Sequence, residues 1–182
     1  MTKLQKYFLA ILPPLDFLSQ VHQLKLEIRE AFGIKYALKS PPHITVRMPF
    51  LYNELKEDKL VTLLSSFSKE YEQFPIHVRG TDEFRRRVIF LDIQAGEALF
   101  KFQRELRIFC KRNLFLQDEL SDLNFHPHMT VAFRDVKKQQ FDSVFNFIKE
   151  RDLSADFEVK SYFLLKHKNG LWEPKTEIFL KK

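Results

Sequence analysis

Glycine, cysteine and tryptophan are scarce in this chain, with four Gly, one Cys and one Trp among 182 residues. So few glycines leave no glycine-rich loop to cradle a phosphate and no flexible linker between domains. The lone cysteine, Cys110, excludes an internal disulfide and fits a reducing compartment. It falls within a helical apolar pattern, the setting of a buried, inert thiol rather than a nucleophile. No apolar run approaches the ~20 residues of a membrane span. The apolar stretch 7–12 is too short for a signal core and stops at Pro13-Pro14. The chain is therefore expected to be cytoplasmic, with no membrane partner.

Phenylalanine is abundant instead, with 20 copies, in a chain that is 45% hydrophobic and 30% charged. That balance belongs to a soluble globular protein with a Phe-packed interior rather than to a disordered one. The length allows one domain or two small lobes with a substantial core. A net charge of +6 favours an anionic partner, nucleic acid being the common case. The competing reading is a surface charge that only keeps the protein in solution.

Apolar periodicity predicts the elements. Residues 6–12 read as a strand ended by two prolines. A helix over 16–32 carries Phe17, Val21, Leu24, Ile28 and Ala31 on one face, with Gly33 at its C-cap. A second helix, 56–73, presents Leu60, Leu63, Leu64, Phe67 and Tyr71. A short strand, 74–79, precedes a longer one, 84–93. A third helix, 96–114, buries Leu99, Phe102, Leu106 and Phe109, and residues 118–124 read as polar loop. A fourth helix over 137–150 and two strands, 156–167 and 172–180, close the chain, with Lys168-Asn169-Gly170 as the turn. Mixed α+β follows, with mostly antiparallel strands because several connections are short.

One pattern occurs twice. Pro42-His43-Ile44-Thr45-Val46 returns 85 positions later as Pro127-His128-Met129-Thr130-Val131. A shuffled chain of this composition would hold roughly 0.2 His-x-Thr triplets, so one match is weak and two in the same Pro/Val frame are not. On a strand, side chains alternate between faces, so His43 and Thr45 share one face and Ile44 and Val46 the other; the second copy repeats this. Each proline stiffens the approach to its strand. Two imidazoles suit in-line cleavage of a phosphodiester: one takes a proton from the attacking oxygen while the other protonates the leaving oxygen. The threonine hydroxyls are placed to hydrogen-bond the non-bridging phosphate oxygens.

Two His-x-Thr-apolar motifs in a small basic α+β chain resemble the 2H phosphoesterase superfamily, in its bacterial 2′-5′ RNA ligase and cyclic phosphodiesterase branch. The opening strand Lys6-Tyr7-Phe8-Leu9-Ala10-Ile11 is similar to that of the family. So are Phe84 with Arg87-Val88-Ile89-Phe90-Leu91, and the closing segment from Ser161 through Gly170 and Trp172. The resemblance implies that residues 1–182 form one domain of two interleaved lobes. These would be pseudo-symmetric, of mostly antiparallel sheet, with helices packed outside and a central cleft. It implies hydrolysis of 2′,3′-cyclic phosphate ends of RNA or nucleotides with no metal or nucleotide cofactor; separately from the resemblance, a monomer is expected. His43 and His128 would form the acid–base pair, and Thr45 and Thr130 the phosphate-binding hydroxyls. Several members also join RNA ends through a 2′-5′ linkage. A non-catalytic RNA- or nucleotide-binding module using the same cleft is the alternative from another class.

Further substrate contacts are read with two sides each. Arg47 shares the His43 face by parity, to bind a phosphate or stand solvated at the cleft edge. Arg87 is the phosphate candidate, although Arg85 and Arg86 precede it. Phe8 and Trp172 either stack on a base or pack in the core. His126 and His128 with His43 suggest a metal, but no carboxylate or thiolate accompanies them at zinc-site spacing; a supporting role is expected for His126. His22 and His77 read as surface or packing residues, and His167 as exposed near a turn. Lys101, Arg104, Arg107, Lys111 and Arg112 read as a solvated face of the third helix, with an RNA track as the functional version.

Overall fold

A computed structural model describes residues 3–182. Among these residues, eight strands form two four-stranded sheets, and every strand pairing within them is antiparallel. The first contains β1 (Leu4–Ile11), β2 (Ile44–Asn53), β7 (Ser161–Lys168) and β8 (Leu171–Phe179), in the order β2-β1-β7-β8. The second contains β3 (Phe74–Phe84), β4 (Val88–Ala95), β5 (His128–Phe133) and β6 (Ala155–Val159), in the order β5-β4-β3-β6. The chain leaves the first sheet after β2, completes the second, and returns with the β7–β8 hairpin. Each sheet thus carries one motif strand at an edge.

The main helices are amphipathic and cover the outer faces. Helix α1 (Leu15–Phe32) buries Phe17, Val21, Leu24 and Ile28, and ends at Gly33, whose left-handed φ of 72° lets its N–H reach the Arg29 carbonyl. Helix α2 (Glu57–Ser68) stops five residues before the predicted end at 73, and its terminal Ser68 hydroxyl meets Tyr162 of β7 at 2.9 Å. Helices α3 (Glu97–Asn113) and α5 (Phe141–Glu150) bury Leu99, Phe102, Leu106 and Cys110, and Phe141, Val144 and Ile148. The helix ahead of each motif strand packs on the other sheet's motif strand: α1 on β5, α3 on β2. That exchange brings β2 and β5 side by side.

The predicted strand 84–93 is instead the end of one hairpin arm and the start of another. Arg85 and Arg86 both take positive φ, 51° and 53°, and the Arg87 N–H closes the turn on the Phe84 carbonyl at 2.9 Å. Positive φ at two successive positions matches strand twist in tight hairpins and is usually met by Asn-Gly; here residues 85–87 join the two strands. The arginines gave no turn signal. The polar stretch 118–124 contains a short helix, α4 (Leu120–Leu123), started by a reciprocal capping box between Glu119 and Asp122. The expected strand 156–167 is divided at Lys160 into β6 and β7, which belong to different sheets.

Candidate functional site

His43 directly precedes β2 and His128 begins β5. The alternation expected beyond them holds in both copies. Ile44, Val46, Met129 and Val131 are buried, and Thr45 and Thr130 are half-buried on the opposite face. Both preceding prolines, Pro42 and Pro127, are buried. The two imidazoles are held identically: Nδ1 of His43 lies 2.7 Å from the Pro41 carbonyl, and Nδ1 of His128 lies 2.7 Å from the His126 carbonyl. A carbonyl only accepts, so each Nδ1 carries the proton and each Nε2 is left as the free basic atom.

Aromatic rings back both histidines. On the cleft face of the first sheet, Phe8 stands 5.0 Å from His43 and meets Trp172 edge-on at 4.7 Å. In the second, Phe84 and Phe90 lie 5.1 and 5.2 Å from His128. Phe8, 4% exposed, is packed rather than open, while Trp172 is half-buried between Phe8 and His167, 4.9 Å from the latter. His167 is thus a neighbour of this aromatic row rather than fully exposed.

A cavity of about 460 Å³ opens beside His128. Its wall includes Thr45, Met48, Phe84, Arg85, Gln103, Asn124, Phe125 and His126. Of the three consecutive arginines, Arg85 is the one on this wall. Arg86 is drawn away by Asp142 at 2.7 Å and lies over the Phe141 ring. Arg87 closes the turn and is exposed; the structure does not bring it to the cavity.

Arg47 departs most from its sequence reading. Two register shifts in the β1–β2 pairing, one on each side of Leu9–Arg47, interrupt the alternation. Arg47 is 1% exposed, donates to Asp122 at 2.5 Å and Asp118 at 3.3 Å, and reaches the Gln117 carbonyl at 2.5 Å. It is neither solvated nor presented to the cleft. Asp118 also accepts from Arg107 at 3.0 Å and Lys111 at 3.1 Å, so two of the five cations on α3 are committed to an internal carboxylate. Asp122 takes the Met48 N–H as well, and Gln103 donates to the Asp122 carbonyl at 3.0 Å. Asp118, Asp122 and Gln103 were not singled out from sequence, since nothing local distinguishes these residues from solvated ones.

Burial first, then the positive charge of Lys25, push the His43 imidazole down to about 4, with His128 contributing in the same direction and the Pro41 hydrogen bond opposing. His128 is lowered by burial and by His126, again opposed by its carbonyl contact. Each imidazole is therefore neutral in the free protein at pH 7. Lys25 is a buried lysine on α1, 2% exposed, and no sequence reading placed it at the site. The signal was present: it falls four residues after Val21 and three before Ile28, on the apolar stripe itself, whereas Ala31, assigned to that stripe, is exposed. Cys110 is buried with its thiol pushed up to about 12 by desolvation, consistent with an inert side chain.

His22 and His77 are exposed, and His77 pairs with Asp156 at 2.6 Å. His126 is exposed, set edge-on to Phe84 and 4.0 Å from Asp92. Among the described residues, no group of three or more His, Cys, Asp or Glu side chains is arranged to hold a metal ion. No helix is long and apolar enough to cross a membrane among the described residues.

A family model described as the 2′-5′ RNA ligase superfamily matches residues 13–171. A protein of Geobacillus kaustophilus, named as a candidate phosphoesterase, is 26% identical over 172 residues, covering 92% of this chain and 91% of its own. One from Bacillus pumilus, named likewise, is 23% identical over 173 residues, covering 92% of each. Among solved structures, E. coli LigT complexed with 3′-AMP is similar with a TM-score of 0.63 at 18% identity, over 99% of this chain and 100% of that one. TT0787 of Thermus thermophilus gives 0.67 at 17% identity, over 97% and 98%. At these identities the structural likeness speaks for the fold.

Proposed function

The chain belongs to the 2′-5′ RNA ligase superfamily, and from that premise we propose that it is a metal-independent phosphodiesterase that opens 2′,3′-cyclic phosphates at RNA or nucleotide ends. The observation that carries this reading is the matched pair of imidazoles, each with Nδ1 tied to a carbonyl two residues upstream. Two Nε2 atoms on neighbouring strands, one on each sheet, can supply what in-line displacement at phosphorus needs, one taking a proton and the other delivering one. Candidate phosphoesterases among the relatives, and the capture of 3′-AMP by the similarly folded LigT, point the same way.

In the proposed reaction a water attacks phosphorus opposite the P–O bond that breaks. His43 takes the water proton at Nε2, its neutrality maintained by burial and by Lys25. His128, in the more open part of the site and without a lysine beside it, arrives protonated with the anionic substrate and gives that proton to the departing ribose oxygen. The substrate's negative charge raises both imidazoles and so supplies the acid that the free protein lacks. Thr45 and Thr130 donate to the non-bridging oxygens, and Arg85 on the cavity wall faces the incoming charge. The product is a 2′- or 3′-phosphomonoester. Replacement of the water by a ribose hydroxyl turns the same steps into 2′-5′ joining.

The test is incubation of the purified protein with nucleoside 2′,3′-cyclic phosphates in EDTA, with the product identified by chromatography. A single phosphomonoester is expected. Tight binding of RNA with no turnover of any cyclic phosphate or 2′-5′ substrate would overturn the enzymatic reading and favour a binding module. Abolition of turnover by EDTA would overturn its metal independence.

A further inference from the structure

We propose that Lys25 is a positioning residue for His43: its buried ammonium clamps the segment that supplies the His43 acceptor and holds that imidazole in its neutral form. This rests on the reading of His43 as the base.

Among the described residues, the ammonium of Lys25 has no carboxylate partner. Its contacts are two carbonyls, Ala37 at 3.2 Å and Ser40 at 3.3 Å, both on the segment that leads into the first motif. The carbonyl that accepts from His43 Nδ1 belongs to the next residue, Pro41. Lys25 therefore grips the same short stretch from one side that His43 reads from the other. The segment is pinned elsewhere too. Asp135, just beyond β5, accepts from the N–H groups of Lys35 and Tyr36 at 2.8 Å each, and Arg134 reaches the Tyr36 hydroxyl. With those contacts already holding the segment to the second sheet, a buried cation is an expensive way to add two carbonyl contacts, because desolvating an unpaired ammonium is costly. Burial alone brings Lys25 down to about 7.

What the cation adds is its field. The charged groups that bear on His43 are Lys25 from α1 and His128 from β5, with no carboxylate among them, while β1 presents the Phe8 ring. Below neutral pH, where His43 titrates, Lys25 is fully charged. It opposes protonation of His43 and thereby protects the basic form in the acid range. His128 has only His126 in that role and no lysine, so the pseudo-symmetric pair is electrically unequal, and Lys25 contributes to that inequality.

The test compares wild type with Lys25→Met and Lys25→Gln, following the His43 ring proton by NMR through a pH titration and kcat/KM against pH in parallel. The resonance is assigned by its loss in His43→Asn. Met removes the charge at similar volume; Gln keeps a donor for the carbonyls. The expected result is a His43 midpoint at higher pH in both variants, with the acid limb of kcat/KM displaced equally, so that activity falls more at pH 5 than at pH 7. A His43 midpoint unchanged in either folded variant overturns the proposal. A displaced midpoint with no turnover of any cyclic phosphate by the wild type supports the coupling and discards the enzymatic reading instead.

Discussion

Arg47 of β2 and Asp122 of α4 form a buried ion pair at 2.5 Å, each no more than 3% exposed. It fastens the first motif strand to the segment just ahead of the second. The pair is structural, and its loss leaves the buried Asp122 carboxylate without a cation, while Asp118 keeps Arg107 and Lys111. Arg47→Ala is expected to cost about 3–5 kcal/mol of unfolding free energy, the penalty for removing one partner of a buried pair. Urea denaturation measures it. A variant with wild-type stability and only weakened substrate binding would return Arg47 to the cleft.

His43→Ala and His128→Ala each remove one proton carrier from the proposed reaction. Turnover of a nucleoside 2′,3′-cyclic phosphate should drop by roughly 100- to 10,000-fold in either variant. The melting temperature should change little, because both residues are half-buried rather than fully enclosed and, among the described residues, neither ring pairs with a charged side chain.

The pH dependence has a worked sign. His43 must be neutral, and its value of about 4 puts the acid limb of kcat/KM in that region. His128 must be protonated, and its lowered value draws the basic limb below the ordinary histidine range. A bound phosphate anion raises both imidazoles, so the kcat profile should sit at higher pH than the kcat/KM profile. Coincident profiles would contradict this charge coupling.

Lys25 also leaves a mark on stability. Its folded value of about 7 lies below the ordinary 10.5, so between those limits the unfolded chain binds more protons than the folded one. Stability from this group is lost below the folded value and recovered as pH rises toward 10.5. The difference in unfolding free energy between wild type and Lys25→Met should therefore move in favour of wild type from pH 7 to pH 10. Chemical denaturation at fixed pH steps reads this difference, in which other titrating groups cancel.

Arg85 carries a positive φ of 51° at the cavity rim. Arg85→Gly removes a left-handed side chain worth roughly 1–2 kcal/mol of strain, so the variant should be as stable as wild type or more so. Its KM for a cyclic phosphate should nevertheless rise. A higher KM beside an unchanged or higher melting temperature separates substrate contact from folding.

Much of this protein is determined by its sequence alone. Alternation along an extended chain is a covalent property, so His43 with Thr45 and His128 with Thr130 were legible as paired faces. The apolar stripes of α1, α3 and α5, the Gly33 cap and the Asn169-Gly170 turn were legible for the same reason: each depends on neighbours within a few residues. What only the tertiary structure decided depends on partners far along the chain. Two register shifts against β1 turned Arg47 inward to meet Asp118 and Asp122, more than 70 residues away. A tight hairpin between β3 and β4 chose Arg85 over Arg87 for the cavity wall, although neither residue is a turn former. Packing of α1 on the far motif strand sealed Lys25 beneath the approach to His43. Pairing register, burial and electrostatic inequality arise only when distant segments meet, which is why the two histidines look equivalent in sequence and are not equivalent in the fold.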